Sequence, residues 1–265
     1  MKKNRENSIK SISLIDSVNE KITVIIPTLN EEIHIEKAIE CVSFADEIIV
    51  IDSFSTDKTL ALAKKYDVKI VQRKFDDFST QKNYAIDLAS NKWIYILDAD
   101  ERVTPEVKEE ILEAVKNPKD FVGFYVRRTL FFMGKKINYG GTQRDKVVRF
   151  FLKEFCRYDG SPVHETIQAR GKLGFFKHKI EHFSYRNYDH YISKMNHYAA
   201  LRGRQFHRKG KKVNLFHILI KPRARFFIHY FIRLGFLDGF AGFIFAKTQA
   251  YGVLTRYIKL RVLNK

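Results

Sequence analysis

The chain has 265 residues, of which 45% are hydrophobic and 14% aromatic, so it can bury a sizeable core and is not a disordered protein. Its two cysteines, Cys41 and Cys156, are far apart and lack CxxC spacing, which excludes a disulfide framework or a zinc finger and favours a reducing compartment. Residues 1–20 contain no apolar core of a secretory signal, and we expect them to form a flexible segment.

The net charge of +18 is distributed unevenly along the chain. Residues 31–120 contain 13 Lys and Arg against 20 Asp and Glu, whereas residues 201–265 contain 15 against 1. A strongly basic tail indicates an anionic partner, either nucleic acid or an acidic membrane surface.

Short apolar runs alternate with amphipathic stretches over the first hundred residues. This alternation is typical of βαβ units, which form a parallel sheet with helices on both faces. Strands are predicted at 22–27, 47–52, 68–71 and 93–97, and helices at 30–42, 56–66 and 80–89, with Asn30 or Thr28 capping the first helix.

The pattern changes in the second half of the chain. Two further strands are predicted at 123–132 and 146–152, joined by a glycine-rich loop, and a helix at 188–207. From residue 213 onward aromatic and basic residues alternate. The apolar stretch 226–246 is interrupted by His229, Arg233 and Asp238, so it is a poor transmembrane span but a good pair of interfacial helices.

Asp98 and Asp100 follow the strand at 93–97, one residue apart. Two carboxylates this close repel each other unless a positive charge lies between them, and Mg²⁺ typically binds one or two carboxylates together with substrate phosphates. In a parallel sheet, ligands bind beyond the carboxyl ends of the strands. This pattern favours a divalent metal site over a solvated acidic turn.

Other polar residues are expected at the same edge of the sheet. The stretch 27–31 leads from a strand into a helix N-terminus that could face a phosphate or ribose, although ordinary capping explains it about as well. Asp52 ends its strand and could contact a base or ribose, whereas Asp57 is interpreted as a first-turn acid. Within the later stretch SPVHE, His164 could be structural and Glu165 is a candidate general base.

Taken together, these motifs resemble glycosyltransferase family 2, whose GT-A fold is a Rossmann-like, mostly parallel sheet flanked by helices. The resemblance rests on ITVIIPTLNEE, EIIVIDSFSTDKT, QKNYAIDLASNKWIYILDADE and VHE, in that order. The later HFSYRNYDHYISKMNHYA and GFLDGFAGF are similar to the β-glucosyltransferase-like branch of lipopolysaccharide core biosynthesis. The resemblance implies a GT-A domain at 21–187, with a nucleotide-binding half at about 21–120 and an acceptor half at about 121–187, and a basic helical extension at 188–265.

The resemblance also implies roles for individual residues. Asp100 would be the more direct ligand of Mg²⁺ or Mn²⁺, with Asp98 also at the metal but nearer the ribose or sugar, and Glu165 would be the catalytic carboxylate. His182 would be a further metal ligand, with a structural role as the alternative. Residues at the nucleotide-sugar pocket would be Pro27, Thr28, Glu31, Asp52 at the nucleobase, Lys82 and Asp98.

The implied activity is inverting transfer of a single sugar, since the QxxRW motif of processive members is missing from GTQRDKVVRFF. The expected donor is UDP-glucose or another UDP-hexose, and the expected acceptor is an anionic glycolipid of lipopolysaccharide core or other cell-surface glycan synthesis. The protein would then be cytoplasmic and peripheral on the inner face of the cytoplasmic membrane, bound through its basic tail, with no nucleic acid as partner.

Some of the same residues also fit other functions. The basic and aromatic tail also suits single-stranded nucleic acid, although no recognised nucleic-acid module is present. An aspartate-nucleophile phosphohydrolase shares the hydrophobic DxD motif, but there it lies on the first strand and here on the fourth. A Rossmann dehydrogenase is disfavoured because no GxGxxG follows any strand.

Overall fold

The computed structural model describes residues 20–161, 165–185 and 187–264, which form two compact units. The first unit contains the described residues up to Arg127 together with Lys146–Glu181, and the second contains Arg128–Asp145 and His182–Lys265. The predicted flexible segment lies, apart from Glu20, outside the described residues, and so does His164 of the SPVHE stretch.

The first unit begins with parallel βα repeats, as the alternating pattern predicts. Strand order places the first strand centrally, with the second and fourth strands on either side of it, all parallel. The elements are β1 Ile22–Thr28, α1 Ile35–Glu40, β2 Glu47–Asp52, α2 Thr59–Ala63, β3 Lys69–Gln72, α3 Phe78–Leu88 and β4 Trp93–Ile96.

Antiparallel strands extend this sheet on the far side of β4. The nine-stranded sheet of the described residues has the order β3-β2-β1-β4-β8-β6-β11-β5, with β7 paired to β6, and β8 is antiparallel to both β4 and β6. The later elements are β5 Glu101–Arg102, α4 Pro105–Lys116, β6 Phe121–Phe132, β7 Lys135–Ile137, β8 Lys146–Leu152, the hairpin β9 Cys156–Tyr158 and β10 Ile167–Ala169, and β11 Lys172–His182.

The first helix begins later than predicted, because neither Asn30 nor Thr28 caps it. Thr28 is still part of β1, and Asn30 has a left-handed backbone with φ of 57°. The Asn30 side chain instead accepts a hydrogen bond from the backbone N–H of Thr56. Asp57 lies before α2, where it accepts from the backbone N–H of Thr59, so it belongs to the loop that precedes the helix and not to its first turn.

Buried side chains on both faces of the sheet hold β4 in place. Trp93 and Tyr95 point into one hydrophobic cluster, in which Trp93 stacks on Phe150 at 4.5 Å between ring centroids. Ile94 and Ile96 point into the cluster on the other face. A strand buried on both sides gives a rigid platform for the polar residues that follow its last residue.

The second unit is mainly helical. Asn187 and Asn214 cap its first two helices by accepting backbone N–H groups, as expected for this residue at N-caps. The aromatic side chains of Phe132, Tyr191 and Phe245 form its core. Its elements are α5 Tyr188–Arg208, α6 Leu215–Phe227, a π-helical turn Ile228–Ile232, a 3₁₀ turn Gly235–Asp238 and α7 Gly239–Leu263.

No single helix in the described part of the chain is both long enough and apolar enough to cross a bilayer. Leu215–Ile232 and Gly235–Leu263 meet those two criteria only as a pair, and that pair is bent by 74°.

Candidate active site

Asp52 organises the edge of the sheet where β1 and β2 end. It pairs with Thr28 in the parallel register and is fully buried. Its carboxylate accepts hydrogen bonds from the Ser55 backbone N–H at 3.0 Å, the Ser55 hydroxyl at 2.5 Å and the Gln72 amide at 3.2 Å. Asp52 thus fixes the loop after β2, and its contact with a nucleobase stays a prediction.

The loops after β1 and β2 are hydrogen-bonded to each other. The backbone N–H of Asn30 donates to the Ser55 hydroxyl at 2.9 Å, and that of Glu31 donates to the Thr59 hydroxyl at 2.8 Å. Thr28, at the end of β1, is buried beneath them. The loops that follow the predicted pocket residues Thr28 and Asp52 are thus joined to each other by hydrogen bonds, and their role in nucleotide binding stays a prediction.

Two protein cations lie against Asp98. One carboxylate oxygen pairs with Nη2 of Arg149, and the other lies 3.5 Å from Nζ of Lys82. The sequence argument expected a divalent cation to relieve the repulsion between the two aspartates. For Asp98 the structure supplies that positive charge from its own side chains, so charge repulsion alone does not require a metal.

Arg149 is the site residue that the sequence analysis missed. It lies on β8 between two buried apolar residues and is itself only 3% exposed. Its guanidinium also contacts Oε1 of the fully buried Glu101 at 2.6 Å. Burial lowers the pKa of Arg149, but the carboxylates of Asp98 and Glu101 raise it well above the ordinary value. The available signal was an arginine with apolar neighbours on both sides in the strand KVVRFFL.

Lys82 brings the predicted catalytic carboxylate to the DxD motif. Its Nζ lies 2.8 Å from Oε1 of Glu165, in addition to its contact with Asp98, and 5.2 Å from the centre of the Tyr158 ring. Burial alone would lower the pKa of Lys82, but the Asp98 and Glu165 carboxylates raise it above the ordinary value. The structure thus places two of the predicted residues, Asp98 and Glu165, beside the protonated, buried amine of a third, Lys82.

The carboxylates at the end of β4 suit a hard divalent cation only if a substrate supplies further oxygen ligands. Asp98 and Asp100 offer carboxylate oxygens, the ligands that Mg²⁺ and Mn²⁺ prefer. Among the described residues no three His, Cys, Asp or Glu side chains converge as a ready-made metal cage. Since both oxygens of Asp98 face cations, Asp100 is the more direct candidate ligand, and diphosphate oxygens would complete the shell.

His182 lies at the end of β11, in the second unit. Its Nε2 is 2.8 Å from the hydroxyl of Ser184, which is buried. This contact is what a structural histidine makes, and the proposed role as a metal ligand stays a prediction.

Comparison with known proteins identifies a family for the chain. A model of the family "Glycosyl transferase family 2" matches residues 23–169. The lipopolysaccharide core biosynthesis glycosyltransferase LpsC of Rhizobium meliloti is 30% identical over 88% of this chain and 90% of its own. An uncharacterized glycosyltransferase of Rickettsia felis is 28% identical over 91% and 90%.

Among solved structures, glucosyl-3-phosphoglycerate synthase of Mycobacterium tuberculosis, in complex with Mn²⁺, UDP and glucosyl-3-phosphoglycerate, is 22% identical over 43% of this chain and 46% of that one, with a TM-score of 0.38. Staphylococcus aureus TarS is 14% identical over 92% and 90%, with a TM-score of 0.44. The family match at 23–169 contains every predicted site residue except His182.

Proposed function

The chain belongs to glycosyl transferase family 2 and is a glycosyltransferase with the GT-A fold, and from this premise we propose that it is an inverting, metal-dependent enzyme that transfers one sugar from a nucleotide-diphosphate sugar to a membrane-bound glycolipid. The observation that carries the proposal is the position of Lys82, whose amine contacts both Asp98 of the DxD motif and Glu165. A donor-site carboxylate and a candidate base are thereby held within one hydrogen-bonded cluster.

The donor would lie at the carboxyl ends of β1, β2 and β4. We propose UDP-glucose or another UDP-hexose, with its diphosphate next to Asp100. Asp100 would be the more direct ligand of a Mg²⁺ or Mn²⁺ ion, and Asp98 would be the second ligand. The ion would supply positive charge that offsets the negative charge developing on the leaving diphosphate. Arg149 and Lys82 keep Asp98 fixed, so that the strand end does not have to reorganise during the reaction.

Glu165 would act as the general base. A carboxylate in hydrogen-bond reach of an acceptor hydroxyl can remove its proton as the oxygen attacks the sugar from the face opposite the diphosphate. Direct displacement of this kind inverts the configuration at the sugar and needs no covalent enzyme intermediate. Lys82 orients the base through one of its oxygens.

The acceptor would be reached at a membrane surface. Of the 27 large hydrophobic side chains that are exposed in the described residues, 12 lie between Leu215 and Phe240. The same segment contains Lys221, Arg223, Arg225 and Arg233 and a single acidic residue. Exposed aromatic and aliphatic groups next to cations suit the headgroup region of an anionic bilayer, where each cation contributes about 1 kcal/mol.

Similarity to LpsC over most of both chains supports a role in lipopolysaccharide core synthesis or in that of another cell-surface glycan. In this proposal the protein works on the cytoplasmic face of the cytoplasmic membrane, with nucleic acid not among its partners. Family membership speaks against the phosphohydrolase interpretation, and so does the position of the DxD motif after β4 instead of β1.

Thermal unfolding with UDP, GDP, CMP and ADP, each with and without Mn²⁺, tests the donor site. A ligand at about a hundred times its Kd stabilises the fold by ~2.7 kcal/mol. We expect UDP to raise the Tm only with the metal, and we expect Asp100→Asn to abolish this effect. Asp120→Asn, at an exposed acid paired with Lys172, is the matched control and should retain it. The absence of a Tm increase with every nucleotide would contradict the proposed donor site. Transfer of sugar from UDP-hexoses to a glycolipid fraction tests the activity separately.

A further inference from the structure

Two arginines converge on one histidine in the second unit. Arg225, His229 and Arg233 follow one another at intervals of four residues, across the end of α6 and the π-helical turn. Nη1 of Arg225 lies 3.1 Å from Nε2 of His229, and Nη1 of Arg233 lies 3.3 Å from the same nitrogen. Both arginines are half-buried, whereas His229 is 6% exposed.

The histidine does not neutralise the arginines. Burial and the two neighbouring cations lower the pKa of His229 to about 4, so its ring is neutral at pH 7 and offers one lone pair at Nε2. Among the described residues neither Arg225 nor Arg233 forms an ion pair with a carboxylate. Asp238, the acid of this segment, accepts instead from the backbone N–H groups of Asn138 and Tyr139.

The glycine-rich loop after β7 contacts Arg233. The backbone N–H of Gly140 donates to the carbonyl oxygen of Arg233 at 2.9 Å. Gly141 has φ of 97°, a backbone conformation that favours glycine, and a Cβ there would lie 2.5 Å from Nη1 of Arg233. Two like charges fixed this close cost free energy that a bound anion would offset.

The residues between the two arginines indicate what kind of anion would bind. Phe227, Ile228, Phe231 and Ile232 are 54%, 40%, 47% and 66% exposed. A free anion gains nothing from such surroundings, whereas the phosphate of an amphiphile would bring acyl chains to them. Planar guanidinium groups match the oxygens of a phosphate, and half-buried positions strengthen charge-assisted hydrogen bonds.

We propose that Arg225 and Arg233, joined through His229, form a binding site for the phosphate group of an anionic membrane lipid. The proposed function is the basis for expecting such a lipid, because the acceptor there is an anionic glycolipid. The site is distinct from general attraction to a charged surface, since it requires two particular guanidinium groups and a terminal phosphate (a phosphomonoester), which phosphatidic acid has and phosphatidylserine and phosphatidylcholine lack.

Flotation of the full-length protein with vesicles tests this site. The vesicles are phosphatidylcholine alone, or with phosphatidic acid, or with phosphatidylserine at the same surface charge. We expect tighter binding to phosphatidic acid, and we expect Arg225→Gln and Arg233→Gln to weaken that binding about tenfold or more. Arg223→Gln removes the same charge from an exposed position on α6, where the side chain donates to the Leu219 carbonyl oxygen, and it should weaken binding to both anionic vesicles equally.

Several results would overturn the proposal. Equal losses for Arg225→Gln, Arg233→Gln and Arg223→Gln would reduce the site to surface charge. Binding of inorganic phosphate that depends on both arginines, without any preference among vesicles, would identify a free phosphate as the ligand instead. If the glutamine variants unfold, Arg225→Lys and Arg233→Lys keep the charge but lose the planar fork, and the preference for phosphatidic acid should fall in these variants as well.

The vesicle assay also separates this site from the proposed transferase function. Selective binding without sugar transfer from any UDP-hexose would leave the lipid site standing and contradict the proposed function. Transfer of sugar to a glycolipid acceptor, together with equal losses of vesicle binding in all three arginine variants, would support the proposed function and contradict the lipid site.

Discussion

Nζ of Lys82 lies 2.8 Å from Oε1 of Glu165, although the two residues are 83 positions apart in the sequence. The contact joins helix α3 to the loop before β10, and the same amine reaches Asp98 at the end of β4. One buried cation therefore connects three separate parts of the chain at the edge where a donor would bind.

Glu165→Gln should stop sugar transfer while leaving donor binding intact. The amide keeps an oxygen that can accept a hydrogen bond from Lys82, but it cannot take a proton from the acceptor. We expect the rate of transfer to fall about a hundredfold or more, and we expect the metal-dependent Tm increase with UDP to persist. Loss of UDP binding in this variant would instead assign Glu165 to the donor site.

Asp100→Asn should abolish transfer without unfolding the protein. The residue is half-buried in the turn after β4 and is a predicted metal ligand, and an amide binds a divalent cation far less strongly than a carboxylate does. We expect no transfer with Mg²⁺ or Mn²⁺ and a far-UV circular dichroism spectrum like that of the wild type. Asp120→Asn is the control, and retained turnover in Asp100→Asn would exclude this residue as the metal ligand.

Arg149→Met should destabilise the fold strongly. Glu101 is fully buried and pairs with the Arg149 guanidinium, and the partly buried Asp98 would lose one of its two cations. Leaving buried carboxylates unpaired costs about 3–5 kcal/mol, which urea unfolding would measure as a lower midpoint. The free energy of unfolding should fall because Glu101 is fully buried, so that water cannot replace the lost cation there.

The double variant Arg149→Met/Glu101→Gln separates stability from activity. Removing the buried charge of Glu101 should recover part of the lost free energy of unfolding. Transfer should remain impaired, because Asp98 still lacks one of the two cations that position it. Full recovery of activity in the double variant would show that Arg149 serves the fold alone.

Sequence patterns were sufficient for the parallel half of the sheet and for the edge at which the site lies. Alternating strands and helices require right-handed crossovers, so the ends of β1, β2 and β4 had to meet, and Asp52 and Asp98 with them. The start of α4 is also marked in the sequence by Thr104 and Pro105, an N-cap followed by proline at the first helical position.

Long-range pairing set the limit of what the sequence could reveal. Arg149 reaches Asp98 only because β8 runs antiparallel to β4, and no local pattern specifies which strand lies next to another. The left-handed backbone of Asn30 depends on the hydrogen bonds of its side chain to the loop after β2, which likewise come from distant residues. The spacing of Arg225, His229 and Arg233 is visible in the sequence, but only the fold shows that the two guanidinium groups meet at one ring nitrogen.

Acidification should destabilise the second unit through His229. In the folded protein its pKa is about 4, below the ordinary value of 6.5, because burial and the cations Arg225 and Arg233 disfavour the charged ring. Between these two pH values the unfolded chain binds more protons than the folded one. The contribution of His229 to the free energy of unfolding is therefore fully present above pH 6.5 and is lost as the pH falls toward 4, by about 3 kcal/mol at most.

Urea unfolding of wild type and His229→Gln between pH 7 and pH 4 measures this contribution. The amide oxygen of glutamine can still accept from the arginines but does not titrate, so the variant should lose less stability than the wild type over this range. His197→Gln, at an exposed position on α5, should follow the wild-type curve. Parallel curves for wild type and His229→Gln would mean that the ring is solvated or already charged, and the neutral bridge between the two arginines would then be wrong.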